Sequence, residues 1–143
     1  MISVIFAIIS GISMSVQGVF DTRLSEKIGL WETNALVQGS ALALTLLITL
    51  FFGKGSYSEL KEVNKLYLFG GVLGVIITFT VMISIGKLGA TYAIGIILIA
   101  QLLAAALIDA FGLFGSERLS FHFKDILGVI IMLIGIIVFK WNR

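Results

Sequence analysis

Residues 88–108 have the sequence LGATYAIGIILIAQLLAAALI, a run of 21 residues without a charged side chain. A helix needs about 20 mostly apolar residues to cross the hydrocarbon core of a bilayer, where it satisfies its own backbone hydrogen bonds. This run therefore predicts a membrane-spanning helix. Three uncharged runs of similar length precede it, at residues 2–20, 33–53 and 66–86.

A fifth apolar run, from Ile126 to Phe139, has only 14 uncharged residues. As a helix it covers about 21 Å, so a buried or interfacial segment is the alternative to a span. Lys140 can reach the headgroups and Trp141 suits the interface, which favours a span. We predict an all-α membrane protein with one transmembrane domain, residues 1–143, and a five-helix bundle with helices at about 2–20, 33–53, 66–86, 88–111 and 124–141.

The composition argues against most soluble functions. The chain is 59% hydrophobic and 13% charged, whereas soluble domains carry roughly 25% charged residues. It has no cysteine, and its single histidine, His122, stands apart from other metal ligands. No paired carboxylates or hydrolase motifs occur, and the basic residues are scattered singly. We expect no enzymatic activity, no cofactor, no metal and no nucleic-acid partner.

The basic residues do not favour one orientation in the membrane, although they normally concentrate in cytoplasmic loops. With five spans, one side receives Arg23, Lys27, Lys87, Lys140 and Arg143, and the other receives Lys54, Lys61, Lys65, Arg118 and Lys124. An equal number of basic residues on the two sides, five and five, predicts insertion in both orientations. Two copies would then form an antiparallel ten-helix dimer, the inverted-repeat arrangement of many transporters. An accidental balance or a miscounted helix is the alternative.

Polar side chains within the runs are candidates for a transport site, because they are costly in hydrocarbon. Ser10, Gln17 and Asp21 share one helical face, and so do Gln101 and Asp109. Gln101 could instead join helices structurally, and Asp109 could be a boundary charge. We predict that the substrate-binding residues are Gln101, Gln17, Asp109 and Ser10. A further polar stripe in the second run consists of Asn34, Gln38, Thr45 and Thr49.

Two glycines in the last helix are candidates for a dimer contact. Gly128 and Gly135 lie seven residues apart and hence on one face. Small residues let membrane helices approach closely, because lipid supplies no hydrophobic drive for their association. We predict that these glycines pack against a second copy, with packing inside the chain as the alternative.

Several segments resemble a known family. IAQLLAAALIDAFGLFG at residues 99–115, GGVLG at 70–74, KLGA at 87–90 and Gln17 are similar to the YdcZ-type family. These are short bacterial members of the drug/metabolite transporter (EamA-like) superfamily. Asp21 departs from that pattern, because the family commonly has asparagine four residues after the glutamine. The last helix, GVIIMLIGI at 128–136, is similar to the dimerising helix of small multidrug-resistance transporters.

The resemblance implies a five-helix protomer in the bacterial plasma (inner) membrane, antiparallel assembly and transport of small molecules. We therefore expect a secondary transporter of small organic solutes or metabolites, acting as a dual-topology antiparallel homodimer by alternating access. Its partners would be the lipid bilayer, a small-molecule substrate and a second copy. The alternatives are a half-transporter that needs a different partner chain, and a non-transporting membrane scaffold or lipid-binding protein.

Overall fold

The computed structural model describes residues 1–119 and 122–141. Within these ranges the chain forms no β-strand, which confirms the all-α fold. The described residues form five α-helices: α1 Ile2–Ile28, α2 Leu30–Phe52, α3 Gly70–Leu88, α4 Ala90–Phe111 and α5 Phe123–Lys140. Short 3-10 helices lie at Tyr57–Lys61, Lys65–Phe69 and Leu113–Gly115.

Four segments of the described chain are long and apolar enough to cross a membrane. They are α1, α2, Lys65–Leu88 and α4. Their large apolar side chains are mostly exposed; Leu50 at the end of α2, for example, is 82% exposed. Exposed aliphatic side chains along a whole helix are suited to contact with lipid rather than water. The chain is therefore an integral membrane protein.

The fifth helix is also long enough to cross. Its 18 residues extend about 27 Å at 1.5 Å per residue. Near its last turn, Lys140 Nζ lies 4.7 Å above the centre of the Tyr92 ring, close to the start of α4. Near its first turn, Asp125 lines the same cavity as Asp109, close to the end of α4. Because α5 follows α4 over nearly its full length, we treat it as the fifth span.

The connection between α1 and α2 is shorter than the uncharged runs predict. α1 continues eight residues beyond Phe20, and α2 begins three residues before Thr33, so only Gly29 separates them. Charged residues do not end a helix when they can lie on its exposed face. Glycine ends this one, because Gly29 has φ 101°, a conformation that other residues rarely adopt.

The third helix begins later than predicted. The α-helix starts at Gly70, because residues Lys65–Phe69 form a 3-10 helix instead. Asn64 begins that segment, and its side-chain Oδ1 accepts a hydrogen bond from the Leu66 N–H at 3.0 Å. Such 3-10 turns are frequent at the ends of α-helices.

The chain comprises two compact units, Met1–Lys87 and Leu88–Arg143. In the first unit, α3 packs on the hairpin formed by α1 and α2. The rings of Trp31 and Phe79 stack with their centroids 4.5 Å apart. Gly18 lies so close to α3 that a Cβ there would be 2.8 Å from Ile85 Cδ1. Aromatic stacking and a small residue thus bring the helices of this unit together.

The second unit consists of α4, the following loop and α5. Gly95 provides its closest helix contact, since a Cβ there would lie 3.0 Å from Ile136 Cδ1. The loop folds back on the end of α4: the Leu119 N–H donates to the Asp109 carbonyl at 3.0 Å, and Arg118 Nε–H donates to the Ala110 carbonyl at 3.1 Å. These bonds satisfy carbonyl groups that the helix end leaves without partners.

Candidate functional site

The second unit contains a partly open cavity of about 600 Å³ between α4 and α5. From α4, the residues Leu102, Ala105, Ala106 and Asp109 line it, at a spacing that places them on one helical face. Small side chains on α4, together with Gly128 on α5, leave the space open. The remaining lining residues are Leu119, Asp125, Val129 and Met132.

The two carboxylates of this cavity differ in their contacts. Asp125 accepts a hydrogen bond from the His122 backbone N–H at 2.8 Å and so stabilises the start of α5. Asp109 is half-buried, and its carboxylate makes no hydrogen bond or ion pair with the described residues. Asp109 is therefore the carboxylate that remains available to a solute in the cavity.

Gln101 lies on the same helix but does not line the cavity. It is exposed in the middle of α4, about 17 Å from the start of the helix, and its amide makes no hydrogen bond with the described part of the chain. An amide without a partner is costly at that depth of the bilayer. Of the two site residues predicted on α4, the cavity thus includes Asp109 alone.

The site residues predicted on the first helix lie in the other unit. Ser10 and Gln17 are both exposed on α1. The Gln17 side chain donates from Nε2 to Asp21 Oδ2, one turn further along, at 3.3 Å. A substrate site shared by residues of α1 and α4 stays a prediction.

The first unit has a polar interior, and none of its buried side chains is among the four predicted substrate-binding residues. Asn34 Nδ2 donates to the Val75 carbonyl at 2.8 Å, and Gln38 Nε2 donates to Thr78 Oγ1 at 3.3 Å. These bonds join α2 to α3. The buried polar side chains of the unit are Asp21, Thr22, Thr33, Asn34 and Thr78.

Part of this interior had a signal in the sequence. Asn34 and Gln38 belong to the polar stripe of the second run, and their four-residue spacing places them on one face. The buried threonines had no such signal in the sequence. A threonine hydroxyl in a helix often bonds to a carbonyl of its own helix, as Thr22 does to the Gly18 carbonyl at 2.7 Å, and can therefore lie on any face. Their burial depends on which face meets a neighbouring helix.

The two predicted dimer glycines are open. A Cβ at Gly128 or at Gly135 would meet no described atom within 4 Å. By contrast, a Cβ at Gly95 would press on Ile136. Packing among the described residues therefore does not account for the two glycines on α5. Gly128 lines the cavity, and the surface at Gly135 is available to a second copy or to lipid.

Comparison with known families places the chain among transporters. Residues 2–138 match the family model described as "Putative inner membrane exporter, YdcZ", of the drug/metabolite transporter group. Because the match covers nearly all of the chain, the protein belongs to this family. No curated protein and no solved structure matches. The protein is therefore an inner-membrane transporter rather than an enzyme, which confirms the resemblance seen in the sequence.

Proposed function

We propose that the protein is a secondary transporter of small organic solutes that works by alternating access as an antiparallel homodimer. The cavity beside Asp109 carries this proposal. Its volume of about 600 Å³ lies within the range of about 300–1,000 Å³ that is typical of pockets for small organic molecules. Its apolar walls and single available carboxylate match the usual composition of such pockets.

The lining of the cavity favours a solute with an apolar body and a positively charged or hydrogen-bond-donating group. Leu102, Val129 and Met132 offer apolar contact. The Asp109 carboxylate accepts charge-assisted hydrogen bonds and attracts a cation in a region of low dielectric. Asp125 adds a second negative charge, so an organic anion would be repelled.

Two features of the second unit support a dimer. Gln101 exposes an amide in the middle of α4, and such an amide needs a hydrogen-bonding partner in hydrocarbon. Gly135 leaves an open surface on α5 that permits close approach of another helix, whereas Gly128 lines the cavity. A second copy supplies both contacts, and the balanced basic residues allow it to insert in the opposite orientation.

Solute flux in liposomes tests the function. The purified chain is reconstituted and offered three radiolabelled probes: an aromatic quaternary ammonium ion, an aromatic carboxylate and an uncharged sugar. We expect flux of the cation, reduced about tenfold or more by Asp109→Asn, because the substitution removes the attraction between the carboxylate and the cation, about 4 kcal/mol for unit charges 4 Å apart at an effective dielectric constant of about 20. Glu117→Gln is the matched control, since Glu117 is exposed in the neighbouring loop and does not line the cavity.

Other results of this flux experiment contradict the proposed site or favour a different function. Flux of the carboxylate or the sugar, or cation flux unchanged by Asp109→Asn, contradicts the proposed site. If the folded chain moves none of the probes alone but does so with a second family member, the half-transporter alternative is correct.

A further inference from the structure

We propose that the buried carboxylate of Asp21 binds a small cation, H⁺ or Na⁺, inside the first unit. The binding site is a different part of the molecule from the cavity beside Asp109, and its existence does not depend on which solute the protein carries.

Asp21 lies well inside the first unit. Its side chain is 7% exposed. Asp21 is eight residues before Gly29, the residue that connects α1 to α2, and Gln38 is nine residues after Gly29. Asp21 and Gln38 therefore lie about 12–14 Å along the hairpin from this connection. Removing an ionised carboxylate from water is unfavourable even after the protein relaxes. The charge of Asp21 therefore needs compensation at its own level in the helices.

The described residues offer no such compensation. No lysine, arginine or histidine among residues 1–119 and 122–141 forms an ion pair with Asp21. Arg23 pairs instead with Glu26 at 3.2 Å. The one hydrogen bond to the Asp21 carboxylate comes from the neutral amide of Gln17. The other charged residues on α1 and on the two helices packed against it are all exposed: Arg23, Glu26, Lys27, Glu32 and Lys87.

Two further oxygen atoms near the same end of the unit are buried without partners. Thr33 Oγ1 and Asn34 Oδ1 form no hydrogen bond with any residue that the structure describes, although these residues are only 0% and 2% exposed. They lie four and five residues after Gly29, about one turn closer to the connection than Asp21. Buried polar atoms without partners are rare and call for water or an ion.

The charge and the hydrogen-bonding capacity of Asp21, Thr33 and Asn34 determine what kind of ligand fits. The Asp21 carboxylate, the Thr33 hydroxyl and the Asn34 amide oxygen include one negative charge and no positive charge, and all three oxygen-bearing groups can accept hydrogen bonds or bind a cation. A neutral solute would leave the charge in place, and an anion would add to it. A proton neutralises the carboxylate directly, whereas Na⁺ with water would also bind the two oxygens. Gln17, exposed on α1 and bonded to Asp21, links the buried carboxylate to the surface of the helix.

Infrared spectroscopy of the full chain in detergent, with ¹³C-labelled aspartate, tests the binding step without any transport measurement. The label reports on Asp21, Asp109 and Asp125 alone, because the other five acidic residues are glutamates. Binding of ²²Na⁺ is measured on the same samples. The matched control is Glu26→Gln, which removes an exposed carboxylate from the same helix.

For H⁺, we expect a labelled band of protonated aspartate at neutral pH that disappears in Asp21→Asn and persists in Glu26→Gln and in added Na⁺. For Na⁺, we expect one bound ²²Na⁺ per chain, lost in Asp21→Asn, and a band that Na⁺ abolishes. The absence of both signals from the wild type, or their persistence in Asp21→Asn, overturns the proposal.

A second variant keeps the test decisive if Asp21→Asn does not fold. Asp109→Asn combined with Asp125→Asn leaves Asp21 as the sole aspartate. The band, or the bound ²²Na⁺, must then remain at the wild-type level; its loss places the cation elsewhere and overturns the proposal. Because no solute is used, cation binding without flux rejects only the proposed function, and flux without cation binding rejects only this inference.

Discussion

The two units of the chain hold their helices together in different ways. The first joins α2 to α3 through side-chain amides, Asn34 to a carbonyl and Gln38 to a hydroxyl. The second brings α4 and α5 together at Gly95 and Ile136. Its described buried side chains are apolar: Ala93, Ile99 and Val129. Both are recognised solutions for helices in lipid, where hydrogen bonds and close packing replace the hydrophobic drive.

This difference matches the different roles that we propose for the units. A polar interior with an uncompensated carboxylate suits a small cation, whereas an apolar cleft with one available carboxylate suits an organic solute. Substitutions that disrupt one kind of helix contact at a time test whether the two units are held together differently.

The largest effect on stability is expected from Gly95→Leu. A Cβ at this position already lies 3.0–3.1 Å from two Ile136 atoms, and overpacking of this kind costs about 1–3 kcal/mol. Unfolding in mixed micelles, followed by circular dichroism, measures the loss. Adding Ile136→Ala should restore part of it. If Gly95→Leu unfolds like the wild type, close packing does not hold the second unit together.

A smaller effect is expected from Asn34→Leu, which removes the 2.8 Å bond to the Val75 carbonyl. Side-chain hydrogen bonds between membrane helices contribute about 0.6 kcal/mol on average and about 1.7 at most. The control is Thr45→Val on the exposed face of α2, where the hydroxyl bonds only to its own helix. Equal losses in both variants would mean that apolar contacts, not the amide, hold α3.

The smallest effect on the stability of the chain is expected from Gly135→Leu, because no described atom lies within 4 Å of a Cβ there. We expect a change below about 0.5 kcal/mol in unfolding, as for surface substitutions, together with a loss of dimers in lipid measured by energy transfer between labelled copies. Dimers as stable as before would place the contact elsewhere on the chain.

The membrane fold could be predicted from sequence because lipid constrains both the length and the composition of a spanning helix. Five uncharged runs correspond to the five described helices, even the short run of α5. The bounds were less predictable. Residues 21–28 include four charged side chains yet are helical, and a single glycine with positive φ, Gly29, ends α1. Charge marks where a helix leaves lipid, not where its hydrogen bonds end.

The candidate site was predictable only in part. Asp109 was identified because a carboxylate near the end of an apolar run is conspicuous, and it does line a cavity. The burial of Thr33 and Thr78 could not be foreseen, because threonine occurs on every face of a membrane helix. Which residues surround Thr33 and Thr78 depends on how α3 packs against α1 and α2. The hydrogen bonds between α2 and α3 join residues about 40 positions apart in sequence.

The proposal of opposite orientations can be tested by shifting the charge balance in the exposed loop between α2 and α3. Ser56→Lys with Ser58→Lys gives seven basic residues on that side against five, and Lys54→Gln with Lys61→Gln gives three against five. We expect the two variants to insert in opposite orientations. Because the chain has no cysteine, Glu62→Cys reports the side through reaction with an impermeant maleimide.

Efflux of the aromatic quaternary ammonium ion from cells that make one or both orientation variants tests the central claim most directly. We expect little efflux from either variant alone and restored efflux when both are made together, because each then meets a copy of opposite orientation. Full efflux from cells that make a single variant, with labelling that shows one orientation only, would contradict the antiparallel dimer.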